Sequence, residues 1–142
     1  MRYLLTCCLV AALVTGCKNN DKNGAAAATT LTDSSQFTTI QWLDSSKDFG
    51  KIGEGQKLEV AFRFKNTGDK PLVIERVQPS CGCTVAEQSK EPVAPGAEGQ
   101  IRATFNSEGR TGINHKTLFV YANTKGTTNH SLQFVVEVEK KP

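Results

Sequence analysis

No stretch of this 142-residue chain spaces its apolar residues at a helical period, and no apolar run reaches the about 20 residues that a membrane-spanning helix needs. A helical bundle and a spanning helix therefore both drop out. Neither Gly-x-Ser-x-Gly nor His-Glu-x-x-His occurs, so the nucleophile elbow and the zinc-protease helix are absent as well. There is no basic block: the formal net charge of +3 is spread along the chain and gives no reason to expect nucleic acid as a partner. Gly50-Lys51-Ile52-Gly53-Glu54-Gly55 is glycine-rich, but it leads into a strand pattern rather than a helix, and Glu54 would repel an anion. It reads as a turn, not a phosphate loop. The expectation is a protein that is not an enzyme, with no catalytic residues and no cofactor.

What the chain does have begins at its first residues. Arg2 is a minimal positive end, Tyr3 to Val14 a short apolar run, and Val14-Thr15-Gly16-Cys17 closes it with small residues before a cysteine. This is a signal peptide over residues 1–16. Val14 to Cys17 resembles the lipobox of bacterial lipoproteins, which implies lipidation of the Cys17 sulfur, cleavage before it and acylation of the new amine. Several acyl chains on one residue anchor stably where a single chain is marginal. The expected place is the cell envelope, held to a membrane through the lipid without crossing it. Lys18-Asn19-Asn20-Asp21 has neither an acidic run nor an aspartate directly after Cys17, which points to the periplasmic face of an outer membrane. Residues 17–36 are mostly Asn, Asp, Lys, Gly, Ala, Thr and Ser, with Leu31 the one large apolar residue, so they read as a flexible tether.

Residues 37–142 make one domain by length, and hydrophobic residues at 38% are enough for a packed core. Leu58, Val60, Phe62 and Phe64 alternate with Glu59, Arg63 and Lys65, a period of two that marks a half-buried strand. Asn66 to Pro71 reads as a reversal, after which Leu72-Val73-Ile74 continues as an antiparallel strand of the same sheet. Thr39–Leu43, Asp48–Ile52, Gln100–Phe105, Ile113–Ala122 and Ser131–Glu139 complete a set of about seven strands. Pro92-Val93-Ala94-Pro95-Gly96 and Asn123-Thr124-Lys125-Gly126 supply turns between them. The predicted fold is all-β, a sandwich whose core includes Trp42, Leu58, Val60, Phe62, Phe64, Ile101, Phe105, Leu132, Phe134 and Val136.

A Gly-rich turn, Phe62-x-Phe64-x-Asn66-Thr67-Gly68, Pro71-Leu72-Val73-Ile74, Ser80-Cys81-Gly82-Cys83-Thr84, Val93-x-Pro95-Gly96 and Ile101-x-Ala103-x-Phe105 follow one another in that order. The series resembles a bacterial family of unknown function, domain of unknown function 1573, common in lipoproteins. That family is similar in turn to the immunoglobulin-like modules of Hydin-type and major-sperm-protein-type proteins. The resemblance covers roughly Phe49 to Val138. It implies an immunoglobulin-like β-sandwich and an envelope location, and it brings no activity with it.

Five cysteines are encoded, but Cys7 and Cys8 leave with the signal peptide and Cys17 is taken by lipid. Cys81 and Cys83 remain, in an oxidising compartment. On a flat strand their Cα atoms would stand about 6.6 Å apart, the outer limit for a disulfide, so closure needs a bend at Gly82. The expectation is an intramolecular disulfide in a structural role. Two alternatives stay open, a thiol–disulfide exchange pair and a soft-metal site such as Cu(I) on two thiolates. Ser80 and Thr84 flank the pair with hydroxyls. A zinc site from Cys81, Cys83, His115 and His130 fails on distance: a hairpin about Thr124-Lys125 sets the two histidines ~13–17 Å apart. The polar face of Glu59, Arg63, Lys65, Gln133 and Glu137 is either plain solvated surface or a surface for an envelope protein or an added peptide strand.

Overall fold

The computed structural model describes residues 34–87 and 91–141. The expected signal peptide, Cys17 and nearly all of the expected tether lie outside those residues. A 3-10 turn at Ser34–Gln36 leads into eight strands: β1 (Ile40–Trp42), β2 (Ser46–Gly53), β3 (Lys57–Asn66), β4 (Ile74–Pro79), β5 (Thr84–Ala86), β6 (Glu98–Asn106), β7 (Gly112–Ala122) and β8 (Asn129–Glu139). They form two four-stranded sheets, in the orders β1-β3-β6-β5 and β2-β8-β7-β4. Every strand pairing is antiparallel except that of β2 with β8.

Alternation decides which side of each strand is buried. Val60, Phe62 and Phe64 of β3 and Ile101, Ala103 and Phe105 of β6 turn inward from the first sheet. Leu118, Val120 and Ala122 of β7 meet them from the second sheet, with Leu132, Phe134, Val136 and Val138 of β8. The layers interlock through the edge-to-face rings of Phe105 and Phe134, centroids 5.9 Å apart, and within the second sheet Phe49 packs on Phe134 in the same way at 6.1 Å. Opposite Phe64, β6 carries Gly99, and a Cβ there would stand 2.6 Å from Phe64 Cζ. The bare glycine is what lets that ring lie flat over β6. Of the ten expected core residues, Trp42 and Leu58 are only half-buried, because they sit in an edge strand and near the open end of β3; both still pack on the core.

Two expectations need correction. Asn66 to Val73 is not a tight reversal within one sheet: β3 lies in the first sheet and β4 in the second. The reason is polar. Asn66 is fully buried, and its Nδ2 donates to the carbonyls of Lys70 (2.8 Å) and Val93 (2.9 Å), while its Oδ1 accepts from Thr38 Oγ1 (2.9 Å) and Gly68 N–H (3.1 Å). These bonds steer the chain across the end of the sandwich, where Leu72, fully buried, bridges to Val93 before β4 begins at Ile74. Second, the cysteines are not delivered on a strand, since β4 ends at Pro79 and they occupy the turn that returns to the first sheet. The expected sandwich of about seven strands has eight among the described residues, with Thr84–Ala86 a short edge strand beside β6. The folded part also includes residues before Phe37, for Asn123 Nδ2 donates to the Gln36 carbonyl at 2.7 Å.

Candidate functional site

The cysteine turn spans the gap between the sheets and is fixed at both feet. Ser80 N–H donates to the Thr117 carbonyl at 2.8 Å, and Ser80 Oγ accepts from Thr117 N–H at 3.1 Å, which ties the first foot to β7. Asn106 N–H donates to the Cys83 carbonyl at 2.9 Å, which ties the second foot to β6. Thr84 N–H closes the turn on the Cys81 carbonyl at 3.3 Å. Between the feet, a disulfide joins Cys81 to Cys83 with their Cα atoms 5.3 Å apart. That is well inside the about 6.6 Å of a flat strand, so the chain does bend here. Gly82 is not among the glycines with positive φ, and a Cβ on it would meet nothing within 4 Å. Its contribution is an open flank on the pair rather than a left-handed backbone.

The two sulfurs are not equivalent. Cys83 is 7% exposed and belongs to the core, whereas Cys81 is half-buried at its margin. Thr84 Oγ1 lies 3.8 Å from Cys81 Sγ and 3.9 Å from Cys83 Sγ. Lys116, next to Thr117 on β7, holds its ammonium 5.7 Å from the centroid of the Phe105 ring. Burial first, and then the Arg110 charge, holds the Lys116 pKa below the ordinary lysine value. Beyond the second foot, Val85 of β5 is 69% exposed on an edge strand. Val85 is invisible as a site residue in the sequence, because only the pairing of β5 with β6 sets it on an edge strand beside the turn.

Among the described residues, no group of three or more His, Cys, Asp and Glu side chains converges as a metal site. His115 lies across from Val135 and His130 across from Val120, five rungs apart along the hairpin, as the hairpin arithmetic requires. With the disulfide closed, neither sulfur is a thiolate, so a soft-metal site would require the pair to be reduced first.

His130 has a structural task instead. Its Nε2 lies 2.8 Å from Thr124 Oγ1, whose own proton goes to the Thr127 carbonyl at 2.5 Å. The imidazole must therefore donate from Nε2 and carry a proton there. Trp42 packs over it, ring centroids 5.7 Å apart, and burial lowers the His130 pKa below the ordinary 6.5. A base whose folded-state pKa is depressed leaves the unfolded chain binding more protons as pH falls. Stability should therefore decline on acidification below about pH 6.5, and His130→Gln should flatten that part of the curve, as urea titrations at pH 7.5 and 5.5 would show. Equal pH slopes in the two proteins would refute it.

The polar faces hold ordinary ion pairs. Arg63 Nε donates to Asp44 Oδ2 at 2.9 Å, and Lys51 reaches Glu139 at 2.8 Å and Glu137 at 3.8 Å. A depression of about 350 Å³ on the first sheet is lined by Glu59, Val60, Ala61, Glu87, Gln100, Arg102, Ala103 and Thr104.

A family model described as "Protein of unknown function (DUF1573)" matches residues 40–138. Comparison with curated proteins finds no match. Among solved structures, the domain is similar to a protein of unknown function from Porphyromonas gingivalis W83, at 16% identity and a TM-score of 0.63, over 74% of this chain and 49% of that one. It is similar to the ASH/PapD-like domain 7 of human CEP192, at 13% identity and a TM-score of 0.51, over 75% and 87% of the two chains. The VesB protease of Vibrio cholerae is a third, at 12% identity and a TM-score of 0.53, over 70% of this chain and 32% of the protease. The chain thus spans about half of the first of these proteins and a third of the last. At such identities the likeness shows the immunoglobulin-like, PapD-like fold alone.

Proposed function

The chain belongs to the family described as protein of unknown function (DUF1573), and on that premise we propose that it is a lipid-anchored envelope protein whose immunoglobulin-like domain binds another envelope component without catalysing a reaction on it. The observation that carries this reading is the polarity of the domain. Asn123 pins the incoming chain at Gln36, at the end of the sandwich where Asn66 closes β3. From there β6 runs from Glu98, paired with Lys65 beside Asn66, to Asn106, which is bonded to the turn of Cys81 and Cys83. Eight steps of about 3.3 Å separate the two ends, ~26 Å. An anchor on Cys17 with a tether to residue 36 therefore attaches the domain at the end opposite the cysteine turn and the Val85 edge. On this reading the lipid positions the domain in the envelope, and the far end meets the partner.

Cys17→Ser tests the anchor. The wild-type chain should partition into the detergent phase and sediment with membranes, and the variant should be released to the aqueous phase. A variant that stays with the membrane as firmly as the wild type would sink the reading. Photocrosslinkers placed at Val85 and at Glu59 then test the polarity, with a discrete product expected from Val85. A product from Glu59 alone would assign binding to the sheet face instead.

A further inference from the structure

The disulfide is hard to account for as a brace. Cross-links stabilise chiefly by restricting the unfolded chain, more for longer loops, and this one encloses only Cys81, Gly82 and Cys83. The turn is also fixed without it, since Ser80 to Thr117, Asn106 to Cys83 and Thr84 to Cys81 are bonds that involve no sulfur. We propose that the Cys81–Cys83 disulfide exchanges with the dithiol of a partner protein, with Cys81 as the sulfur attacked. The proposal goes beyond the binding role and does not depend on the lipid anchor.

The geometry sets the direction of attack. Cys81 is half-buried beside the open flank of Gly82, whereas Cys83 at 7% exposure is shut off by the core. A partner thiolate reaches Cys81 Sγ and forms a mixed disulfide with it. The Cys81–Cys83 bond breaks, and its electron pair leaves on Cys83 Sγ. Thr84 Oγ1, 3.9 Å away, is placed to donate to that thiolate. The partner's second thiolate then attacks the partner's own sulfur in the mixed disulfide, closing the partner's disulfide and releasing Cys81 as a thiolate. Two electrons pass from the partner dithiol to the cysteine pair, and the feet of the turn hold their places throughout. Val85, exposed on the edge strand two residues after Cys83, offers the incoming segment an apolar contact.

The test uses the full chain purified from whichever cell fraction holds it, with dithiothreitol as the dithiol probe. Samples are acid-quenched, alkylated and mapped by peptide mass so that Cys81 and Cys83 are read separately from other cysteines. Native protein should open its pair within minutes in modest excess of dithiothreitol, with its circular dichroism unchanged. A pair that stays closed until urea unfolds the chain would overturn the proposal. The polarity is read from single variants: Cys81 in Cys83→Ser should alkylate on the order of tenfold faster than Cys83 in Cys81→Ser. Equal rates in folded variants would overturn it too, and should both variants misfold, the wild-type measurement decides alone.

Discussion

Asn66→Ala is expected to destabilise the domain by on the order of 3–5 kcal/mol, a large loss for a polar residue. The side chain makes four hydrogen bonds and has no exposure to water. Alanine strands the Lys70 carbonyl, the N–H of Gly68 and the hydroxyl of Thr38 and takes one of two donors from the Val93 carbonyl, which keeps Leu72 N–H, and each stranded group costs about 1–3 kcal/mol. The carbonyls can recover part of this by relaxing toward water, which keeps the sum below the simple total. Asn66→Asp should be no better, because it sets a carboxylate oxygen against the same two carbonyls. Thr38→Val removes one of the four bonds and should cost about 1 kcal/mol. Urea unfolding of the three variants would check the order. A loss below about 1 kcal/mol for Asn66→Ala would mean that water enters the site and the network is not what turns the chain.

Phe134→Ala should be comparably severe, about 3–5 kcal/mol. Phe134 has no exposed surface, and its ring meets Phe49 from β2 and Phe105 from β6 at 6.1 and 5.9 Å, so it touches both sheets. Truncation removes a ring's worth of buried apolar area and leaves a cavity at the centre of the sandwich that backbone ladders on either side keep from collapsing. Phe134→Leu, which refills most of that volume, should recover about half of the loss. Thermal unfolding followed by circular dichroism gives the comparison, and equal losses for Ala and Leu would point to the ring contacts rather than volume as the source.

The strands that carry the core were legible because alternation is a local signal. Phe62, Phe64, Ile101, Phe105, Leu132, Phe134 and Val136 follow the period of two and are buried. Sheet membership was not legible. Whether β4 returns beside β3 or crosses to the other layer depends on Asn66 and Asn123, and an asparagine that opens a turn segment reads as exposed until its hydrogen bonds are seen. Both are instead buried and pin loops from the inside. Asn123 Oδ1 accepts from Val73 N–H at 2.7 Å, and its Nδ2 donates to the Pro71 carbonyl at 3.0 Å. β5 was missed because three residues are too few to show a period, and it exists only by pairing with Ala103–Phe105. At the candidate site the sequence offers the two cysteines and the hydroxyls beside them. The unequal exposure of the sulfurs comes from the crossover and could not be read in advance.

The parallel pairing of β2 with β8 has a kinetic consequence. β2 is the second strand to leave the ribosome and β8 the last, with register from Ser46↔Gln133 to Gly53↔Glu139. No hairpin can join two parallel strands, so β2 waits unpaired until almost the whole chain is available. Closing so long a loop early is entropically costly, and domains dominated by such distant pairings fold in milliseconds to seconds rather than microseconds. Hairpins such as β7 with β8 can assemble first, and β2 docks onto β8 as a late step. A chain emerging N-terminus first thus stays incompletely folded until its final strand is free, which keeps it threadable through a narrow pore and exposes the unpaired edge of β2 to chaperones during that interval.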